Sequence, residues 1–293
     1  MPLSNLSHLK SYPSSAFKKH PSNYMTMGLR KLDAENWLTI DSEYDQYYRA
    51  RQQLPSEAKE EVLQRLPGGE AACEEHLGAA IQFLVKEYPK EHEIFEGHLG
   101  QEWIRNNMTG EEFSIKMPYN LHPLEVVARL VVEDFNIMMK TIGREEWLMK
   151  TRLASATFSP AGWYLRDRIG SLVTDLWFSA AVGGVSNALS YFSRLYQKSF
   201  MERSSFFVQV RPPGESLAET SFIQEPNDFF PGNVNNLWPR DIIIKRERQT
   251  FCRLPKTNAV VFTVKTSITP LVRFPKEELR ALLPRSGHGW KIL

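Results

Sequence analysis

The sequence predicts an α+β fold, with an antiparallel sheet of about five strands and flanking helices. Three observations carry this reading. The strand candidates come as hairpin-like neighbours, the helical periods are grouped before and between them instead of alternating with them, and the composition is that of an ordinary globular chain. Of 293 residues, 42% are hydrophobic and 24% charged, enough for one large core or two smaller ones.

Residues 1 to 24 mix Pro, Ser, Lys and His without a period and read as an arm, with 25–293 as a single domain whose N-terminal part is helical. The run from Ser42 to Leu66, rich in Glu, Gln, Arg and Tyr, reads as helix up to the stop at Pro67-Gly68-Gly69. Leu77, Ile81, Leu84, Val85 and Tyr88 then mark the apolar face of an amphipathic helix that Pro89 ends. Between His92 and Tyr119 the pattern breaks into aromatics, Asn and Gly, and His122-Pro123 opens a further helix from Leu124 to Asp134.

Beyond Asp134 the period changes to that of strands. Phe135 to Ile142 and Trp147 to Phe158 read as a hairpin across Gly143-Arg144, followed by helices from Pro160 to Leu176 and from Val185 to Tyr196. Three more strands are expected at Ser205 to Arg211, Asp241 to Leu254 and Ala259 to Thr269, and a short helix from Pro275 to Leu283 closes the chain. The loop from Pro212 to Trp238 is long for a compact domain and serves either as a lid or as a wrap over the core. The strand from Lys245 to Arg253 is expected to have one solvated face and one core face.

Composition narrows the function classes. With 36 basic and 34 acidic residues the net charge is +2, too balanced for the positive field that holds nucleic acid or an anionic membrane surface. No stretch approaches the roughly 18 consecutive apolar residues of a membrane span, and the polar N-terminus lacks the apolar segment of a secretion signal. A cytoplasmic protein is the expectation. Cys73 and Cys252 stand far apart in unlike contexts, which argues against a disulfide framework and for a reducing compartment. Asn107-Met108-Thr109 matches a glycosylation acceptor but reads as a polar turn before Gly110.

Motifs for familiar chemistries are missing. The chain has no HxxxH, HxH, CxxC or HExxH spacing for a metal, no GxSxG nucleophile elbow, and neither GxGxxG nor GxxxxGKS for a nucleotide phosphate. No metal site is therefore expected.

Several strings, in order, resemble the haem-dependent oxidative N-demethylase family. They are Met27-Gly28-Leu29-Arg30-Lys31-Leu32-Asp33 with Trp37 and Asp41; Pro123-Leu124-Glu125 with Arg129-Leu130-Val131 and Glu133-Asp134; Trp147 with Pro160, Gly162-Trp163, Arg168 and Gly170; and Arg246 to Pro255, RERQTFCRLP, with Ala259 to Thr263, Thr266 and Pro270-Leu271. The resemblance implies a PAS-like sheet and, in the family, haem b. In the family pattern the helix after the SGW segment ends in Ile-His-x-Pro-Val-Pro, whose His is the candidate iron ligand. Carried across without a gap, that position is Trp177, followed by Phe178-Ser179-Ala180-Ala181. The Arg-x-Asn-Trp element is altered as well, to Arg203-Ser204-Ser205-Phe206.

An indole cannot replace an imidazole on iron, because its nitrogen lone pair belongs to the ring. His92, His98, His122, Cys252 and the tyrosines are the other donors at hand. The leading expectation is accordingly a cofactor-free biosynthetic enzyme that orients an unsaturated substrate for cyclisation or cycloaddition. Trp163, Trp177, Phe178, Phe206, Phe251 and Arg253 would bind the substrate, and Arg248 and Glu133 would act as catalytic polar groups. The alternatives are a haem b monooxygenase with another axial ligand and a non-catalytic PAS-like binding module.

Overall fold

A computed structural model describes residues 30–52, 63–97, 100–139, 152–156, 195, 199–210, 238–274 and 276. Among these, ten strands and three α-helices form two antiparallel sheets with helices packed against them, the α+β architecture expected from the sequence. The sheet is larger than the five strands foreseen. Seven strands lie in the order β1 (Arg30–Leu32), β8 (Phe200–Val210), β9 (Ile242–Arg253), β10 (Val260–Pro270), β6 (Asp134–Met138), β7 (Arg152–Ala156), β2 (Leu63–Arg65), and three more in the order β3 (His92–Glu96), β4 (Glu102–Asn106), β5 (Glu111–Ser114).

The first strand, β1 (Arg30–Leu32), pairs with the far larger β8 (Phe200–Val210). Of the helix expected from Ser42 to Leu66, Tyr44–Gln52 is helical (α1), 53–62 lie outside the described residues, and Leu63–Arg65 form a strand, β2. Strand β2 is held by β7 (Arg152–Ala156), a partner about ninety residues away in sequence that no local period announces. Helix α2 (Glu70–Glu87) buries Ala72, Cys73, His76, Leu77, Ala80, Ile81, Phe83 and Leu84 on one stripe, the recurrence that a 3.6-residue period requires.

The stretch from His92 to Tyr119 forms the three-stranded sheet of β3 (His92–Glu96), β4 (Glu102–Asn106) and β5 (Glu111–Ser114). Its turns use Gly100 (φ +73°) and Gly110 (φ +77°), conformations that side chains disfavour. A Cβ on Gly97 would lie 2.5 Å from Trp103 Cδ1, so the indole packs directly on that backbone. Helix α3 (Pro123–Leu130) starts as its sequence requires: His122 Nδ1 accepts the Leu124 amide at 3.2 Å, and Pro123 stands in the first turn.

Strands β6 (Asp134–Met138), β9 (Ile242–Arg253) and β10 (Val260–Pro270) complete the large sheet near their expected positions. Strand β8 begins five residues before the expected Ser205. The β9–β10 hairpin turns at Pro255–Asn258, with Asn258 at φ 58°. Helix α2 anchors that turn: the Glu75 carboxylate accepts the amides of Lys256 (2.6 Å) and Thr257 (2.7 Å) and the Thr257 hydroxyl (2.6 Å). The N-terminal arm, the helix expected at 160–176, all but one residue each of those expected at 185–196 and 275–283, and the Pro212–Trp238 loop except Trp238 lie outside the described residues.

Continuous pairing of β8, β9 and β10 fixes two rows of side chains, because successive residues of a strand point to opposite faces. Cys252, Val261, Phe135 and Ile137 join α2 and α3 in the main core, which defines a helical face of the sheet. Lys245, Glu247, Gln249, Phe251 and Arg253 alternate with that row and define the opposite face. The expected solvated side of β9 is absent: Lys245 is 4% exposed, Glu247 4% and Gln249 6%.

Candidate functional site

The residues singled out from the sequence fall into two groups on the two faces of one sheet. Arg248 and Glu133 lie on the helical face and hold down the segment that crosses it. Arg248 Nη1 donates to the Trp37 carbonyl at 3.2 Å, its Nη2 donates to the Asn36 carbonyl, and its Nε reaches Glu202 Oε2 at 3.2 Å. Glu202 also accepts from Arg30 Nε at 2.8 Å, tying β1 to the same bracket. Glu133 Oε1 accepts the Thr39 amide at 2.8 Å and the Thr39 hydroxyl at 2.7 Å.

Burial raises the Glu133 carboxyl above its ordinary range, against the lowering pull of Thr39, Arg248 and Lys265. Its second oxygen, Oε2, is buried without a hydrogen-bond partner. Lys265, opposite Arg248 in the ladder, continues the bracket through buried Asp41 and through Glu43 at 3.4 Å. These groups meet main-chain carbonyls and amides, so their visible work is to fasten residues 36–43 across the sheet.

The opposite face has another chemistry. Phe251 and Phe262 stack at 4.8 Å with 19° between their planes, and the Arg203 guanidinium lies 5.8 Å from the Phe251 ring centroid. Gln249 Oε1 accepts from Arg203 Nε, Gln249 Nε2 donates to Glu247 Oε2 at 2.7 Å, and Lys245 Nζ stands 3.5 Å from Glu247 Oε1. The result is a side-chain rail of four polar residues ending at a flat aromatic stack. Arg253 lies on the same face beyond Phe251, and burial lowers its basicity.

Phe251, Arg253 and the family-motif Arg203 therefore share one face, while Arg248 and Glu133 occupy the other; they do not line one pocket. Phe206 pairs with Arg246 in the ladder, the row of Arg248. Trp163, Trp177 and Phe178 lie outside the described residues. Lys245, Glu247, Gln249 and Phe262 were not foreseen. The signal for the first three was present in the strict alternation of KRERQTFCR, which separates Lys-Glu-Gln-Phe-Arg from Arg-Arg-Thr-Cys.

Several side chains of the kinds that ligate haem iron lie among the described residues. His76 is fully buried, its ring edge-on to Phe135 at 4.8 Å and Trp37 at 6.0 Å, and burial alone holds it neutral with a pKa of about 3. Both its nitrogens lack a hydrogen-bond partner, as does Trp37 Nε1. The ring is thus buried between aromatic side chains. His122 caps α3 through Nδ1. His92 is buried at the start of β3 and held neutral there, with a pKa of about 4. Burial pushes the Cys73 thiol up to about 12 and the Cys252 thiol higher still, away from the thiolate that binds iron. No group of three or more His, Cys, Asp or Glu gathers for a metal among the described residues. His122 is thus committed to a cap and His76 and both thiols to the buried core, while His98 lies outside the described residues.

One comparison with known proteins bears on the whole chain. Residues 28–291 match the family described as haem-dependent oxidative N-demethylase, alpha subunit-like. The match runs through both sheets and takes in Arg203, the β9 row and the bracket around Arg248. On that extent of agreement, the chain belongs to the haem-dependent oxidative N-demethylase, alpha subunit-like family.

Proposed function

We propose that this member of the family is a cofactor-free small-molecule enzyme that binds a reactive unsaturated substrate and orients it for cyclisation or cycloaddition. The observation that carries the reading is the opposite face of the large sheet, where the Phe251–Phe262 stack adjoins a guanidinium fixed by Gln249. A flat π-surface suits the unsaturated part of a substrate, and a fixed donor suits an oxygen on it.

A cyclisation of this kind is an isomerisation. Bonds are rearranged within the substrate, no electrons are exchanged with a cofactor, and no proton need leave the site. The protein contributes by restricting the substrate to a folded conformer and by presenting donors where negative charge gathers in the transition state. Each 1.4 kcal/mol so gained is about a tenfold rate increase. Arg248, placed as a catalytic group by the sequence, is instead bound to the Asn36 and Trp37 carbonyls.

Family membership itself favours a second reading, a haem-dependent monooxygenase with an axial ligand other than those considered above. Two measurements separate the readings. Protein expressed with haem precursor is assayed by pyridine hemochrome, and stoichiometric haem defeats the cofactor-free proposal. Anaerobic, chelator-treated protein is then offered a panel of linear conjugated polyenes, with conversion to a product of identical mass as the expected result. A pocket that binds such compounds without converting them would leave a non-catalytic binding module.

A further inference from the structure

We infer that the open end of the β9–β10 hairpin docks on the three-stranded sheet of a second copy of this chain, bringing basic and aromatic groups onto an acidic surface. The contact joins two exposed surfaces and is independent of the substrate reading above.

At the open end of the hairpin the chain makes two short helical turns, Pro239–Asp241 before β9 and Leu271–Arg273 after β10, which pack on each other. Each turn brings a large apolar side chain to the surface: Trp238 and Val272 are both 61% exposed. Tryptophan is highly buried on average, and Trp and Arg are enriched among the residues that carry interface energy. Arginine is at hand here. The Arg240 guanidinium lies 5.4 Å from the Trp238 ring centroid, and Arg273 and Lys276 follow Val272, both exposed. Against these three cations stands one carboxylate, Asp241, whose Oδ2 accepts the Trp238 amide at 3.2 Å. The hairpin end is therefore positive.

The three-stranded sheet has the opposite sign. Its strands hold Glu93, Glu96, Glu102, Glu111 and Glu112 against one arginine, Arg105, and none of the five glutamates is buried. Neighbouring cations do not cancel the excess. Arg105 is shared between Glu93 and Glu112, Lys116 meets Glu102, and Arg129 is shared between Glu111 and Glu125, so that six carboxylates face three cations. An apolar side chain is exposed here too, Ile94 at 46% on the edge strand β3.

A second copy brings to each surface the charge that it lacks. Like ends repel, which disfavours pairing of two hairpin ends or of two acidic sheets and selects the contact between unlike patches. Exposed ion pairs are individually weak and screened by salt, so the association is weak and salt-sensitive.

The test is sedimentation of the full chain over a concentration series reaching about 100 μM, a range suited to weak association. The average mass is expected to rise with concentration at about 50 mM salt and to stay that of a monomer at about 500 mM, where the Debye length falls to about 4 Å. Arg240→Glu with Arg273→Glu reverses the hairpin end, and Glu96→Lys with Glu112→Lys reverses part of the sheet. Each double variant is expected to weaken self-association about tenfold or more. Mixed in equal amounts the two should associate again, since one keeps a native sheet and the other a native hairpin end. Trp238→Ser should weaken association about tenfold. Circular dichroism checks that each variant folds, and the salt series needs no variant.

A wild type that stays monomeric at low salt would overturn the inference and leave the hairpin end to a partner of another kind. Association that persists at high salt, or in both double variants, would overturn it as well. So would a mixture of the two variants that stays monomeric, because the two surfaces would then not meet each other.

Discussion

The two faces of the large sheet are built from alternate residues of the same strands, yet they handle buried charge in opposite ways. On the helical face Arg248, Glu133 and Lys265 meet the segment of residues 36–43, largely through its main-chain groups and acidic side chains. On the other face Arg203, Gln249, Glu247 and Lys245 meet one another through side chains. Contacts to main chain lock a fold, since the partner cannot turn away without moving the chain. Contacts between side chains hold a group in a set direction without tying it to the main chain, and groups so held are what a binding surface needs.

The sharpest way to break this comparison is to remove charge from the locked face. Lys265→Met leaves Asp41 buried with its positive partner gone, and loss of one member of a buried pair costs about 3–5 kcal/mol. Urea denaturation should show a loss of that order. A much smaller loss would mean that the bracket on residues 36–43 does not fasten the fold.

The pH dependence of stability comes next in size. The His76 pKa is depressed from 6.5 unfolded to about 3 folded, so protonation favours the unfolded chain. Its contribution is complete above pH 6.5 and declines as pH falls towards 3, by about 1.4 kcal/mol per pH unit at the steepest. Glu133, raised by burial, works in the other direction: its folded carboxyl holds a proton that the unfolded one releases, so stability falls as pH rises above about 4.5. Comparing wild type with His76→Phe cancels the Glu133 contribution and isolates the histidine. The difference in unfolding free energy should grow in favour of the variant as pH drops from 6.5, and a difference independent of pH would contradict a neutral buried imidazole.

A smaller effect is expected at the β9–β10 turn. Glu75→Ala removes three hydrogen bonds to Lys256 and Thr257, at the rim of the sheet where water substitutes in part. A loss of about 1–2 kcal/mol is expected, with faster hydrogen exchange confined to residues 254–260. Arg105→Ala on the three-stranded sheet is the control. Its pairs with Glu93 and Glu112 are solvent-exposed, and the denaturation midpoint should not move measurably.

Much of this architecture was legible in the chain. Strands β9 and β10 and the turn between them were placed to within a residue or so at each end, because long runs of β-branched and polar residues around Pro255-Lys256-Thr257-Asn258 leave few alternatives. The start of helix α3 was legible from His122-Pro123, though it ends at Leu130 and the expected last residue, Asp134, opens β6; the family was legible from strings that lie, among the described residues, in the large sheet, in α3 and in the segment before α1. The three-stranded sheet was not, since strands of four or five residues carry too few alternations to register and their turns rely on single glycines. Residue pair Leu63–Gln64 illustrates a harder case. In a charged run that reads as helix, it becomes strand through pairing with Ala156 and Ser155.

For the candidate site the same division holds within one strand. The row Lys245, Glu247, Gln249, Phe251, Arg253 and the row Arg246, Arg248, Thr250, Cys252 follow from chain chemistry alone, because a strand sends alternate side chains to opposite sides. Which row would meet helices α2 and α3, and which would carry Arg203 over an aromatic stack, depended on the pairing with β8 and β10. Hydrogen bonds and burial belong to pairs of surfaces brought together from distant parts of the chain, so a residue's own neighbours in sequence cannot announce them.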